Sequence, residues 1–305
     1  AGLNSVITIY IAIPFMVIPM ILFCGVLVKY DKLHPTLSNY EYVPLIGNMM
    51  PSRWAYEALA VEQFKNNKFE KHFFEINQDK STADYLNTYL VSELKNKLQL
   101  LKLSPLNGDN QGTIQSQLDI LNNQLAEVRN LDHRIPPYRP PEVTAELLSD
   151  EVLNGIESYL ARLDTLARSM NINSNLARNE IVDSLIAELG MKEYSKIEKA
   201  HVNESLNDMV LNENAFKKIV EVDDRFIRKY KVGYMKPTSN QGKAHLYAPN
   251  KQLGRFIYET KWFNMVVIWL YTLGLYVMLR ADLLRKVINI SETRRLRRLS
   301  RRQAT

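Results

Sequence analysis

The sequence has almost no cysteine: Cys24 is the only one in 305 residues. A single cysteine excludes an intramolecular disulfide, so any folded domain must be held together by packing alone. The five histidines show neither the H-E-x-x-H pattern nor the Cys/His spacing of a zinc site. We therefore predict that this chain binds no metal.

Nucleotide-binding and hydrolytic signatures are also missing. No G-x-x-x-x-G-K-[ST] loop is present, so this chain alone cannot cradle the phosphates of ATP. The G-x-S-x-G turn of many hydrolases is absent as well. These absences predict that the chain is not an enzyme, with no catalytic, cofactor-binding or metal-binding residues and no cofactor of its own.

Charge is absent from the run Val6–Val28. About 23 residues at about 1.5 Å each make a helix long enough to cross a hydrocarbon core of about 30 Å. Pro14 and Pro19 each remove a backbone donor, which disfavours a soluble helix but is tolerated among membrane helices. A signal peptide is the alternative, yet no basic region precedes the run and no cleavage site follows. We predict a first transmembrane helix within a segment 1–45 that also includes an interfacial loop.

A second uncharged run, Trp262–Leu279, lies near the other end of the chain. Its length of about 18 residues is the lower limit for a span, and a buried helix of a soluble domain is the alternative. Lys261 and Arg280 bracket the run, and Trp262 stands where an interfacial aromatic residue belongs. We predict a final transmembrane helix within 261–285, with Trp262, Lys261, Arg280 and Arg285 as membrane anchors.

The net charge of +6 is concentrated in an arginine-rich tail, residues 286–305. Such a run could bind nucleic acid, but its place directly after a membrane helix favours an anionic membrane surface, so we predict no nucleic-acid partner. Basic residues beside a membrane helix stay in the cytoplasm. The tail is therefore predicted to be cytoplasmic and residues of about 29–261 extracytoplasmic.

The polar middle of the chain is predicted to be helical throughout. A domain at 81–232 would begin with Thr82 as helix N-cap, and helices are expected at about 175–189, 193–212 and 214–230. Residues 233–260 would form a loop that returns to the membrane. Asp223 and Asp224 are interpreted as ordinary exposed helix charges.

Two apolar stripes in this middle region have coiled-coil stepping. Fewer than four heptads persist in either, which favours a core within one molecule over a coiled coil between molecules. The stripes comprise Ile114, Leu118, Leu121, Leu125 and Val128, and Val152, Ile156, Tyr159, Leu163, Leu166 and Met170.

A short segment, Pro51–Leu59, reads PSRWAYEAL and predicts a helix capped by Ser52. Arg53 and Glu57 lie four residues apart and can pair. Exposed pairs of this spacing are common, so spacing alone favours a surface pair. The alternative is a pair in the low dielectric of a re-entrant element, within an amphipathic segment at 46–80.

These residues carry a family resemblance. The helix end Phe23–Val28, an aromatic loop with prolines, Pro51–Leu59 and the following Glu62–Phe64 are similar to the fifth transmembrane helix and re-entrant stretch of G-type ABC transporter permeases, the ABC-2 superfamily. The second apolar run with its basic end resembles their sixth helix. The likeness covers roughly residues 5–75 and 245–288, and it is to the large fused ATPase-permease proteins of the Bacteroidota in particular.

The resemblance implies the permease portion of an ATP-driven exporter in the bacterial inner membrane. The implied partners are the lipid bilayer, a nucleotide-binding domain on the same or another chain, and a second permease half in a dimer; ATP and Mg²⁺ would belong to the parent protein. The start at Ala1, without methionine, predicts a segment of a longer protein. The residues expected to form the outer gate and re-entrant element are Pro51, Arg53, Trp54, Tyr56, Glu57 and Phe64.

The predicted fold class is all-α: two transmembrane helices flank a re-entrant segment and a large extracytoplasmic helical-bundle or coiled-coil domain. The long loop without cysteine departs from eukaryotic relatives, whose loop between these two helices is short and usually disulfide-bonded. A two-span anchor that presents a helical adaptor to a partner, with no transport, is the alternative function.

Overall fold

The computed structural model describes residues 6–34, 36, 38–103, 111–138, 143–144, 149–282 and 286. These residues form two compact units. The terminal unit comprises the described parts of Ala1–Asn39, Val43–Ala58 and Lys261–Thr305, and the middle unit comprises Tyr40–Tyr42 and Leu59–Thr260. The predicted anchor Arg285 and most of the predicted basic tail lie outside the described residues.

Helix accounts for 67% of the structure, which confirms the prediction of a mostly helical protein. The strands pair as two antiparallel hairpins. The helices are α1 (Val6–Leu22), α2 (Leu45–Asn48), α3 (Pro51–Lys65), α4 (Phe74–Asp84), α5 (Val91–Leu103), α6 (Gln111–Glu127), α7 (Asp150–Leu189), α8 (Met191–His201), α9 (Glu204–Leu211) and α10 (Thr260–Arg280). A π-helical stretch, Tyr85–Leu90, joins α4 to α5. The strands are β1 (Ile219–Val222), β2 (Arg225–Arg228), β3 (Asn250–Leu253) and β4 (Phe256–Glu259).

The first hairpin is a departure from the otherwise mostly helical fold. A helix was predicted at 214–230, but β1 and β2 pair there in antiparallel register. Asp223 and Asp224, the two residues between the strands, have φ angles of 49° and 54°. Positive φ at both central residues is the geometry of a two-residue hairpin turn, and Asp tolerates it. The β-branched and aromatic residues on either side favour strand, which the helical interpretation of this segment overlooked.

The hairpin turn can be tested by comparing the stabilities of two substitutions at position 223, because a turn and a helix predict opposite orders. In a helix, alanine at position 223 would be more stable than glycine by about 1 kcal/mol. At a positive φ the order reverses, because a left-handed conformation costs an L-residue with a Cβ about 1–2 kcal/mol. We therefore expect Asp223→Gly to be more stable than Asp223→Ala in denaturant unfolding of the full chain. The opposite order would support the helix.

The second hairpin lies in the segment predicted as a return loop, residues 233–260. Its strands β3 and β4 pair in antiparallel register, and Gly254 opens the turn with a φ of 62°. A positive φ is readily adopted by glycine, which explains the residue at this position. The loop prediction is therefore wrong for residues 250–259.

The first apolar helix is shorter than predicted. α1 ends at Leu22, and Phe23–Val28 form turns and bends in which Gly25 has a φ of 87°. The described helix has 17 residues, or about 26 Å at about 1.5 Å per residue, less than a hydrocarbon core of about 30 Å. Two transmembrane helices are therefore not confirmed.

Among the described residues, one helix is long and apolar enough to cross a membrane: α10, with 21 residues. Only 6% of its most apolar 18-residue window is buried. Trp262, Trp269 and Leu270 are among its exposed side chains. Its length and composition are those of a helix that can cross a bilayer.

One apolar core of the middle unit is built from α5, α6 and α7. The first predicted stripe lies in it and is fully buried, and the second stripe lies in it except for Met170. The preference for a core within one molecule is confirmed. α7 is one continuous helix of 40 residues, longer than the predicted pieces, with the Ser149 hydroxyl as N-cap and Gly190 after its last residue.

Three further predictions about this unit differ from the structure in detail. Thr82 is not an N-cap: it lies inside α4, where its hydroxyl donates to the Gln78 carbonyl 3.0 Å away. The predicted helix 193–212 is divided into α8 and α9, because the Asn203 side chain accepts from the backbone N–H of Leu206 and caps a new helix. The predicted domain start at residue 81 also falls inside α4, whereas the compact unit starts at Leu59 apart from its short outlying segment.

Candidate functional site

The Arg53–Glu57 ion pair is buried in the terminal unit. Both residues lie on α3, and the exposed fractions of their side chains are 1% and 0%. Arg53 Nη2 donates to Glu57 Oε1 over 3.3 Å. The surface-pair interpretation is therefore wrong. A buried ion pair is stable only when further hydrogen bonds satisfy the carboxylate oxygens and N–H groups that the pair itself does not engage.

Asn264 supplies the next of these bonds from the other end of the chain. It is fully buried near the start of α10. Its Nδ2 donates to Glu57 Oε2 over 2.7 Å and to the Trp54 carbonyl over 3.0 Å. Sequence analysis missed this residue. The available signal was an amide inside an otherwise apolar run, since such a side chain must find partners when it is buried.

Arg53 itself is held by an aromatic face. Its guanidinium carbon lies 4.1 Å from the centre of the Trp54 ring, within the range of a cation–π contact. Its Nε and Nη1 atoms are buried and meet no hydrogen-bond acceptor among the described residues. The ion pair thus leaves two guanidinium nitrogens without an acceptor among the described residues. The cluster formed by Arg53, Glu57 and Asn264 is here called the polar cluster.

A second group of hydrogen bonds meets at the backbone carbonyl of Asn48, the last residue of α2. This oxygen accepts from Trp54 Nε1 at 2.8 Å and from the Tyr271 hydroxyl at 2.7 Å. A carbonyl in the last turn of a helix has no intrahelical donor, so these side chains satisfy it. Trp54 also stacks on Phe263, with ring centres 6.2 Å apart. Residues from α2, α3 and α10 are thereby joined around one tryptophan.

The end of α1 is tied to the same unit by hydroxyl groups. Ser52, predicted as an N-cap, instead donates to the Met20 carbonyl over 2.7 Å. Tyr30 donates to the Phe23 carbonyl over 2.9 Å. Burial raises the pKa of the Tyr30 hydroxyl well above its usual value, although the nearby Arg53 cation opposes this shift. The hydroxyl therefore stays protonated and remains a donor.

Gly47 of α2 allows Tyr30 to approach this closely. A Cβ at position 47 would lie 2.5 Å from the Tyr30 hydroxyl oxygen and 2.9 Å from Val43 Cγ1. Both distances are shorter than side chains tolerate, so a larger residue there would displace Tyr30.

The remaining predicted gate residues are not all gathered at this site. Pro51 is the first residue of α3, where a missing N–H costs nothing, and Tyr56 is half-buried on the same helix. Phe64 belongs to the middle unit, where its ring lies 5.3 Å from that of Tyr234. The structure therefore gives no basis for placing Phe64 in the polar cluster.

Three of the predicted anchors, Trp262, Lys261 and Arg280, lie near the two ends of α10. Trp262 is 57% exposed, and the Lys261 ammonium lies 5.5 Å from its ring centre. Arg280 is the last residue of α10 and is exposed. These positions match what an interfacial pair and a distal basic residue require, but the anchoring role itself stays a prediction.

The chemistry of the polar cluster is that of a structural latch. One cation, one anion and one amide hold α3 against α10, and no group of metal ligands occurs in the part of the chain that the structure describes. The family resemblance of the sequence stays a prediction, because this chain matches no protein-family model, no curated protein and no solved structure.

Proposed function

We propose that this chain is the permease portion of an ATP-driven exporter of the ABC-2 type, and that the polar cluster latches its outer gate. The observation that carries the proposal is the burial of the Arg53–Glu57 pair and its bond to Asn264. The pair lies in the PSRWAYEAL segment that resembles the re-entrant element. Asn264 lies in the helix that resembles the last permease helix.

A latch requires a set of hydrogen bonds that are all formed in one state and all broken in the other. Asn264 donates both to the Glu57 carboxylate and to the Trp54 backbone, so a shift of α10 along α3 breaks these bonds together. A broken contact would leave the carboxylate with fewer donors in a low dielectric, which costs more than an ordinary hydrogen bond. The geometry thus favours discrete positions of these helices over a continuous range, as a gate requires.

The topology follows from the same proposal. In the proposed topology α10 crosses the inner membrane, and the shorter α1 crosses it with local thinning of the bilayer. The middle unit lies on the extracytoplasmic side, and the basic tail lies in the cytoplasm. The nucleotide-binding domain, with its ATP and Mg²⁺, and a second permease half complete the transporter. In this arrangement the polar cluster lies at the outer end of α10, because Asn264 is only four residues from its first residue.

The topology can be tested by thiol labelling in intact spheroplasts. After Cys24→Ser, we expect cysteine at Ser158, which is exposed on α7, to react with an impermeant maleimide. Cysteine at Ser300, in the basic tail, should react only after the membrane is permeabilised. Labelling of the cysteine at position 300 but not of the cysteine at position 158 in intact spheroplasts would reverse the proposed orientation. It would also remove the polar cluster from the outer side.

A further inference from the structure

The hairpin β3–β4 exposes apolar side chains in an unusual way. All four residues of β4 are exposed, including Phe256 at 69% and Ile257 at 61%. Neighbouring residues of a strand point to opposite faces, so both faces of this strand present an apolar side chain. Leu253 and Tyr258 are exposed as well. The surface therefore does not resemble the polar outer face of an ordinary antiparallel hairpin.

This hairpin is nevertheless held firmly to the middle unit. The backbone N–H groups of Gly242 and Gly254 donate over 2.7 Å to the carbonyls of Gln252 and Asn240. The Glu259 carboxylate pairs with the Lys65 ammonium at 2.8 Å. An isolated two-stranded hairpin is only marginally stable in water, so these ties explain how the exposed strand keeps its shape.

The hairpin leads directly into the apolar helix. Glu259 ends β4, and the next residue, Thr260, begins α10. At about 3.3 Å per residue, the Cα atoms of Phe256 and Thr260 can be at most about 13 Å apart. The exposed Trp262 follows two residues into the helix. Tyrosine and tryptophan at this boundary are typical of residues at the level of lipid headgroups.

We propose that β3–β4 lies in the lipid interface of the outer leaflet as a membrane-embedded hairpin. The occupant of its exposed apolar surface is lipid, because the surface is continuous in sequence with the exposed apolar surface of α10. Leu253, Phe256 and Ile257 contact acyl chains, and the exposed Arg255 at the turn binds headgroup phosphates. The proposal rests on the membrane placement of α10 given under the proposed function.

Spin labels can report on lipid contact residue by residue. The full-length protein with Cys24→Ser is reconstituted in vesicles of phosphatidylethanolamine and phosphatidylglycerol. Single nitroxide labels are attached after Ile257→Cys in the hairpin, Trp269→Cys in α10, or Phe216→Cys. Phe216 is the matched control, because it is 98% exposed and aromatic but lies before β1, far from α10 in sequence.

Collision with apolar O₂ is compared with collision with a water-soluble nickel complex. We expect labels at positions 257 and 269 to favour O₂ several-fold, and the label at 216 to favour the nickel complex. O₂ preference at 269 with nickel preference at 257 would overturn the hairpin proposal and leave the membrane placement of α10 intact. Nickel preference at 269 would overturn both. Strong dipolar broadening between labels at position 257 on two copies would assign the surface to a second copy and also overturn the proposal.

Discussion

Arg53→Ala is expected to lower the free energy of unfolding by about 3–5 kcal/mol, the usual cost of breaking a buried ion pair from one side. The change leaves the Glu57 carboxylate buried with Asn264 as its remaining side-chain donor in the polar cluster. It also removes the stack on the Trp54 ring. Under the proposed function, transport by the full-length protein should fall far more than basal ATP hydrolysis, because this pair lies outside the nucleotide-binding domain that the proposal implies.

A surface pair of the same spacing provides the matched control. Arg168 pairs with Asp164 four residues earlier on α7 at 3.0 Å, and the Arg168 side chain is 66% exposed. Arg168→Ala should change stability by less than about 0.5 kcal/mol and leave transport intact. Stability is read from thermal unfolding in detergent. Transport is read as ATP-driven uptake into inverted vesicles of a compound chosen because it stimulates the wild-type ATPase.

The double replacement separates charge from shape. Arg53→Met with Glu57→Leu removes both charges and keeps apolar volume, so part of the lost stability should return. Equal transport by Arg53→Ala and the unchanged protein would contradict the gate assignment. It would favour the alternative in which the chain anchors a helical adaptor and moves nothing.

The Arg53–Glu57 pair shows what the sequence could and could not predict. Spacing identified Arg53 and Glu57 as neighbours on a helix, since residues four apart share a face. It could not predict their burial, because the covering donor comes from Asn264, 207 residues along the chain from Glu57. Long-range contacts of this kind leave no local pattern.

Elsewhere in the fold, features with a local sequence pattern were also predicted, and features without one were missed. The apolar stripes of the middle unit were predictable because a helix repeats its core face locally, and the structure places all their residues except Met170 in one core. The hairpin at Asp223 and Asp224 was missed because neither residue is the glycine or asparagine that usually signals such a turn. The end of α1 at Leu22 was missed because hydropathy continues through Val28 while the backbone turns at Gly25.

Asn264→Leu is expected to be the second most damaging single change at this site. The substitution keeps the side-chain size but removes the donor to Glu57 Oε2 and to the Trp54 carbonyl. A hydrogen bond to a charged group contributes about 1.5–3 kcal/mol, and we expect a loss of stability in this range. Arg53 remains in place, so the carboxylate keeps its cation, and the loss should be smaller than that of Arg53→Ala.

Thr272→Val is the matched control for this helix, because the Thr272 hydroxyl is exposed and donates only to the carbonyl of Ile268 within α10. It should leave both stability and transport nearly unchanged. If the polar cluster is a latch, Asn264→Leu should also broaden the distribution of distances between two spin labels, one at Ala55→Cys on α3 and one at Met265→Cys on α10, measured after Cys24→Ser. Both positions are exposed, and the distance between them stays narrow only while α10 stays against α3. Lower stability with an unchanged distance distribution would make Asn264 a packing residue and contradict the latch.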